Sequence, residues 1–127
     1  MSRAIVIDLP PEPSAVVLAR KFVAEHAGSL SPALREDAEL LVSELVSNAI
    51  MHGQPAITLR LNADLPGIGV EVSDRGDYLP SLPDRAPDPR QAGGRGLRLV
   101  DALATSWGVT PSEPPPGKTV WFEIRDN

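Results

Sequence analysis

The 127-residue chain contains no cysteine, which excludes a disulfide framework and any thiolate metal site. It has two histidines, His26 and His52, so a zinc centre would have to recruit carboxylates. Aromatic residues make up 4% of the sequence, too few for a base-stacking platform that binds single strands. The arginines are scattered and the formal net charge is −5, unlike the basic surface of a general nucleic-acid binder. No apolar run approaches the roughly 18–20 residues of a membrane span. The opening Met1-Ser2-Arg3, followed by Ala4-Ile5-Val6-Ile7, lacks the apolar stretch of a signal peptide. The expectation is a cytoplasmic protein without direct contact to nucleic acid or membrane. Neither a Gly-x-Ser-x-Gly elbow nor a His-Glu-x-x-His pair occurs, so serine-hydrolase and zincin chemistry have no support.

What is present suits one globular domain over residues 1–127, with 42% apolar content and enough length for a core without staples. Ala4 to Asp8 reads as a strand ended by Pro10-Pro11-Glu12-Pro13. Ser14 is placed to cap a helix running to His26, with Gly28 as its stop. Ser31-Pro32 then supplies N-cap and first helical residue for a second helix, with Glu36 and Asp37 in or near its first turn. That helix runs to about Met51 and stops at Gly53. Ala56 to Leu61 and Ile68 to Ser73 alternate as the two strands of a hairpin turned by Pro66-Gly67. Residues 77 to 93 are proline-broken and aperiodic, and a loop this long inside a domain is usually functional or disordered. A short helix from about Gly96 to Ala104 follows. Ser106 to Thr110 and Thr119 to Arg125 then read as a last hairpin, joined by a proline-rich turn. Trp107 and Trp121 on it read as core. Helices first, then a mostly antiparallel mixed sheet with one late helix, predict an α/β (α+β) two-layer sandwich.

Three pieces carry chemistry. On the second helix, at about 100° per residue, Ala38, Leu41, Val42, Leu45 and Ala49 form an apolar stripe. Glu44 and Asn48 share a face one turn apart at its margin. Asn is a poor interior helix residue, and its amide oxygen suits a Mg²⁺ shell completed by phosphate oxygens and water. Asp74-x-Gly76 ends a strand, where a carboxylate accepts hydrogen bonds and can read an exocyclic amine. Gly93-Gly94-Arg95-Gly96-Leu97 opens a helix, whose exposed N–H groups and dipole favour an anion. Taken singly, each has a plainer use: a solvated Glu with a tolerated Asn, a tight turn, a flexible helix start.

Gly117-Lys118-Thr119 matches the end of a phosphate-binding P-loop. That loop needs Gly at the position held by Ser112, and Pro114, Pro115 and Pro116 lack the N–H donors it uses. The P-loop reading fails. His52, at a helix end beside Gly53, reads as a capping or dipole partner.

Taken together, Ser43-Glu44-Leu45-Val46-Ser47-Asn48-Ala49-x-x-His52-Gly53, Asp74-x-Gly76, Gly93-Gly94-Arg95-Gly96-Leu97-x-Leu99-Val100 and Gly117-Lys118-Thr119-Val120-Trp121-Phe122 resemble, in order, the motifs of the GHKL ATPase superfamily. Within it the chain is similar to the short anti-sigma-factor serine/threonine kinases of bacteria. The resemblance implies a GHKL-type fold binding ATP and Mg²⁺, with residues 77–93 as an ATP lid. It implies Asn48 as the Mg²⁺ ligand and Glu44 as the acid activating the attacking serine. It further implies Asp74 as the adenine-reading acid with Gly76 in its pocket, and Gly94, Arg95, Gly96 and Leu97 around the phosphates. Thr119 is implied as the hydroxyl supporting the adenine contact. The chain departs from the pattern at Asp77-Tyr78, where a second glycine is usual. Two activities follow: phosphorylation of a serine on an anti-sigma antagonist, or nucleotide-gated sequestration of a sigma factor without useful catalysis. The implied assembly is a homodimer.

Overall fold

The computed structural model describes residues 4–27, 30–63, 66–77 and 94–126, the last of these without side chains over 94–96. Their elements, in chain order, are β1 (Ala4–Leu9), α1 (Ser14–His26), α2 (Pro32–His52), β2 (Ile57–Asn62), β3 (Gly67–Asp74), α3 (Gly94–Leu103), β4 (Ser106–Pro111) and β5 (Lys118–Arg125). The strands form one sheet in the order β1-β2-β3-β5-β4, and each described pairing is antiparallel. The expected two-layer α/β sandwich is the architecture found.

Strand alternation builds the inner layer. The register aligns Leu59, Val72 and Val120 in one row across β2, β3 and β5, and Leu61, Val70 and Phe122 in the next. All six are buried. Against them lies the stripe of α2: Ala38, Leu41, Val42, Leu45, Val46 and Ala49. Each large side chain so enclosed contributes about 1.5–3 kcal/mol. α1 packs on α2, β1 and β2, and α3 packs on α2 and β4. Since side chains alternate across a strand, the rows between these face away from the helices. One such row is Thr58, Ser73, Thr119 and Thr110; another is Arg60, Glu71, Trp121 and Gly108. Trp121 therefore lies half-buried on the outer face, contrary to its reading as core. Trp107 packs against the core, and its indole N–H donates to Asp101 Oδ1 at 2.9 Å.

α2 starts and stops as its sequence predicts. The Leu34 N–H donates to Ser31 Oγ at 3.3 Å, Pro32 opens the helix, and the Gly53 N–H closes it on Ala49 O at 2.9 Å. Ser31→Ala is expected to cost about 1 kcal/mol, read as a lower urea midpoint at unchanged slope. Glu36 and Asp37 lie just past the first turn, which itself holds no acidic residue. One local expectation fails. Ser14 is the first helical residue of α1 and not its cap; Pro13 holds the N-cap without a side-chain bond. The reason is the turn before it, where the Glu12 and Pro13 carbonyls accept from the Ala15 and Val16 N–H groups at 2.9 and 3.1 Å. Gly28 lies outside the described residues, and α1 ends at His26. α3 begins two residues earlier than expected and is held by buried Leu97 and Val100. Of the implied lid, Asp77 is exposed, and 78–93 lie outside the described residues. Among the described residues no helix is long and apolar enough to cross a membrane.

Candidate functional site

The inner face of the sheet changes from apolar to charged where β3 ends and β5 begins. Asp74 and Lys118 are register partners there, one step beyond the Val72–Val120 pair. Both are buried, at 4% and 3% exposure. Lys118 Nζ donates to Asp74 Oδ1 at 2.9 Å. The same oxygen accepts from the Gly76 N–H at 2.7 Å and, more loosely, from the Gln54 N–H at 3.4 Å. A carboxylate taken out of water needs such partners, because burying it alone costs several kcal/mol.

Glycine backbone encloses the acid. A Cβ on Gly53, at the end of α2, would stand 2.5 Å from Asp74 Cγ. Gly117, just before β5, holds φ at +125°, and a Cβ there would lie 2.7 Å from Asp74 O. Any side chain at Gly53 would enter the space the carboxylate occupies, and at Gly117 the backbone itself favours glycine.

Between α2 and the sheet lies a cavity of about 10 Å³ whose polar wall is Asn48, His52, Asp74 and Lys118. Leu45 and Val72 are among its apolar lining. That volume admits about one water molecule, so a larger group would enter only as side chains turn aside. Lys118, with its flexible four-carbon stem, is the one best able to do so.

The structure thus brings Asn48 and Asp74, implied as metal and base ligands, to one cavity. His52, read as a cap partner, joins them in its wall. Glu44 is half-buried one turn before Asn48 and does not line this cavity. Gly94, Arg95 and Gly96 form the first turn of α3, while the Leu97 side chain is buried at 1% exposure; its role is to anchor the helix start. Thr119 is not brought beside Asp74. Its side chain is on the outer face of β5, with Oγ1 2.7 Å from Ser73 Oγ. The residue facing Asp74 is Lys118. The signal was in the sequence: Val120, Phe122 and Ile124 are core, and a period of two places Lys118 on their side.

Chemically, the site offers a buried acceptor, an adjacent cationic donor and a nearby carboxamide. This donor set fits a nucleotide in kind, with Asp74 held against backbone for a base and Asn48 placed for a cation. Among the described residues no group of three His, Asp or Glu side chains gathers to hold a metal, so a cation at Asn48 would draw other oxygens from its ligand and water.

Comparison with known proteins bears on the family and the fold. A family described as the histidine kinase-like ATPase domain matches residues 9–124. No curated protein matches the sequence. The crystal structure of the RsbU and RsbW domains of Rv1364c from Mycobacterium tuberculosis is similar, with a TM-score of 0.68 and 20% sequence identity. The likeness, one of fold, covers 97% of this chain and 32% of that one, so this chain spans about a third of its length. With the match running from β1 into β5, the chain belongs to the histidine kinase-like ATPase domain family, whose ligand is ATP.

Proposed function

We propose that the chain is an ATP-dependent regulator of the anti-sigma type, a serine/threonine kinase acting on a partner protein. The observation that carries this is the convergence of Asn48 and Asp74 on one cavity between α2 and the sheet. In this reading Asp74 accepts from the exocyclic amine of adenine, and Gly76, through its own bond to Oδ1, fixes the carboxylate's orientation. Asn48 would hold Mg²⁺, and the ion when bound would supply charge neutralisation at the phosphates. The first turn of α3, through Gly94, Arg95 and Gly96, faces the phosphates. Glu44, on the same helix as Asn48, takes the proton from a partner's serine hydroxyl. Residues 77–93 act as the lid. Support for the regulatory setting comes from the motif resemblance to anti-sigma-factor kinases and from the fold shared with a chain bearing an RsbW domain. The partner is then an anti-sigma antagonist or a sigma factor, and the assembly a homodimer. Thr119 supports the base only indirectly, through its hydroxyl contact to Ser73 beside Asp74.

Calorimetry with Mg²⁺-ATP and Mg²⁺-ADP tests the pocket. Wild type is expected to bind, Asp74→Asn to lose at least tenfold in affinity, and Asn48→Ala to lose its dependence on Mg²⁺. Absence of heat with wild type would remove the reading. Glu44→Ala should keep nucleotide binding and lose transfer to a partner serine; transfer at the wild-type rate would reject Glu44 as base.

A further inference from the structure

We propose that Lys118 is an internal competitor for Asp74: its ammonium holds the place at the carboxylate that a base must take, and a nucleotide binds by turning it out to water. The inference rests on the nucleotide-binding reading above and adds the contact that limits affinity. Three donors meet on Asp74 Oδ1: Lys118 Nζ at 2.9 Å, the Gly76 N–H at 2.7 Å and the Gln54 N–H at 3.4 Å. A carboxylate oxygen offers about two lone-pair sites, so no fourth donor is accepted there until one of the three leaves. An amine aimed at the rest of the carboxylate meets a cavity of about 10 Å³, room for about one water molecule.

Two of the donors are backbone groups fixed by their own chain. The Gln54 carbonyl accepts from the Arg75 N–H at 2.9 Å, and Gly76 is pressed so close to Gly53 that a Cβ on it would stand 3.0 Å from Gly53 Cα. Lys118 alone reaches Asp74 through a flexible side chain. It is the first residue of β5, so its four-carbon stem can rotate off the end of the sheet without crossing the core. The apolar walls do not yield in this way: Leu45, Ala49, Val72 and Val120 belong to the core, where close packing resists displacement. Once outside, the ammonium regains its hydration, and Asp74 exchanges one donor for another. Apparent affinity falls by the fraction of molecules in which the lysine is already out; at about one in ten, the loss is tenfold.

The chain has only two lysines, Lys21 and Lys118, and Lys21 is exposed whereas Lys118 is buried. Amine acetylation read by mass spectrometry therefore follows Lys118 in wild type, with Lys21 as internal reference. A fluorescent ribose-labelled ADP with Mg²⁺ reports binding in the same samples. At saturation, acetylation of Lys118 relative to Lys21 is expected to rise at least tenfold. Unchanged protection at saturation overturns the proposal and leaves nucleotide binding standing. Lys118→Ser removes the competitor and opens space beside Asp74, so the variant is expected to bind the labelled ADP at least tenfold more tightly than wild type. Equal or weaker binding by the folded variant overturns the proposal, because it marks Lys118 as a counter-ion or a ligand contact. Should the variant not fold, the acetylation of wild type decides. Failure of the labelled ADP to bind either protein removes the nucleotide reading itself, and this inference with it.

Discussion

Asp74→Ala is expected to lower the stability of the fold by about 3–5 kcal/mol, the range for breaking a buried pair from one side. The substitution strands the Lys118 ammonium at 3% exposure and removes the acceptor from the Gly76 and Gln54 N–H groups. The double variant Asp74→Ala/Lys118→Met removes the stranded charge as well. Although it has lost both partners, it is expected to be more stable than Asp74→Ala by at least about 1 kcal/mol, as coupling within one network requires. Urea denaturation of the four proteins closes the cycle. Equal midpoints for the single and double variants would show that Lys118 escapes to solvent when its partner is gone. The pair would then be of little consequence to the fold.

The second large effect is expected at Gly53. Its backbone, φ −97° and ψ −168°, is one that any residue adopts, so alanine there meets no conformational penalty of its own. The obstacles are Asp74, whose Cγ would lie 2.5 Å and Oδ1 2.6 Å from the new methyl, and the Ala49 carbonyl oxygen at 2.6 Å. Gly53→Ala must displace the carboxylate or the end of α2. The expected cost is about 1–3 kcal/mol, as for other overpacked sites. Nucleotide affinity should fall at least tenfold, since the acid proposed to read the base is the group pushed aside. Calorimetry and urea unfolding on the same preparation separate the two effects. Unchanged affinity in a folded Gly53→Ala protein would mean that Asp74 does not need its present position to bind.

Much of this arrangement is legible from residue pattern. Ser31-Pro32 and Gly53 mark both ends of α2, because the N-cap hydroxyl and the closing Gly53 N–H are local chemistry. The apolar stripe of α2 needs only a period of 3.6, and the strands needed only alternation. The start of α1 was not legible in the same way. Its first N–H groups are met by backbone carbonyls in a proline turn, and no residue type announces that. The site divides similarly. Asp74 and Asn48 stand out by type and place, whereas the motif resemblance drew attention to the hydroxyl of Thr119 and away from Lys118. A motif gives an order of residues, but the face on which each one lies follows from strand phase. Here the phase set by Val120, Phe122 and Ile124 decides for Lys118. The enclosure of Asp74 by Gly53 and Gly117 joins positions more than sixty residues apart in sequence, a proximity that only the sheet order creates.

The pairing of Asp74 with Lys118 closes a loop of chain that contains the implied lid, α3 and β4. Both ends of that excursion are pinned, by the ion pair and by the β3–β5 ladder behind it. The entropy of closing such a loop grows slowly, by only about 0.6 kcal/mol for each doubling of length. Changes of length between the packed elements of that stretch therefore cost little in closure entropy, while the floor of the cleft keeps its shape. The proposed nucleotide site is tied down by two side chains at the ends of neighbouring strands.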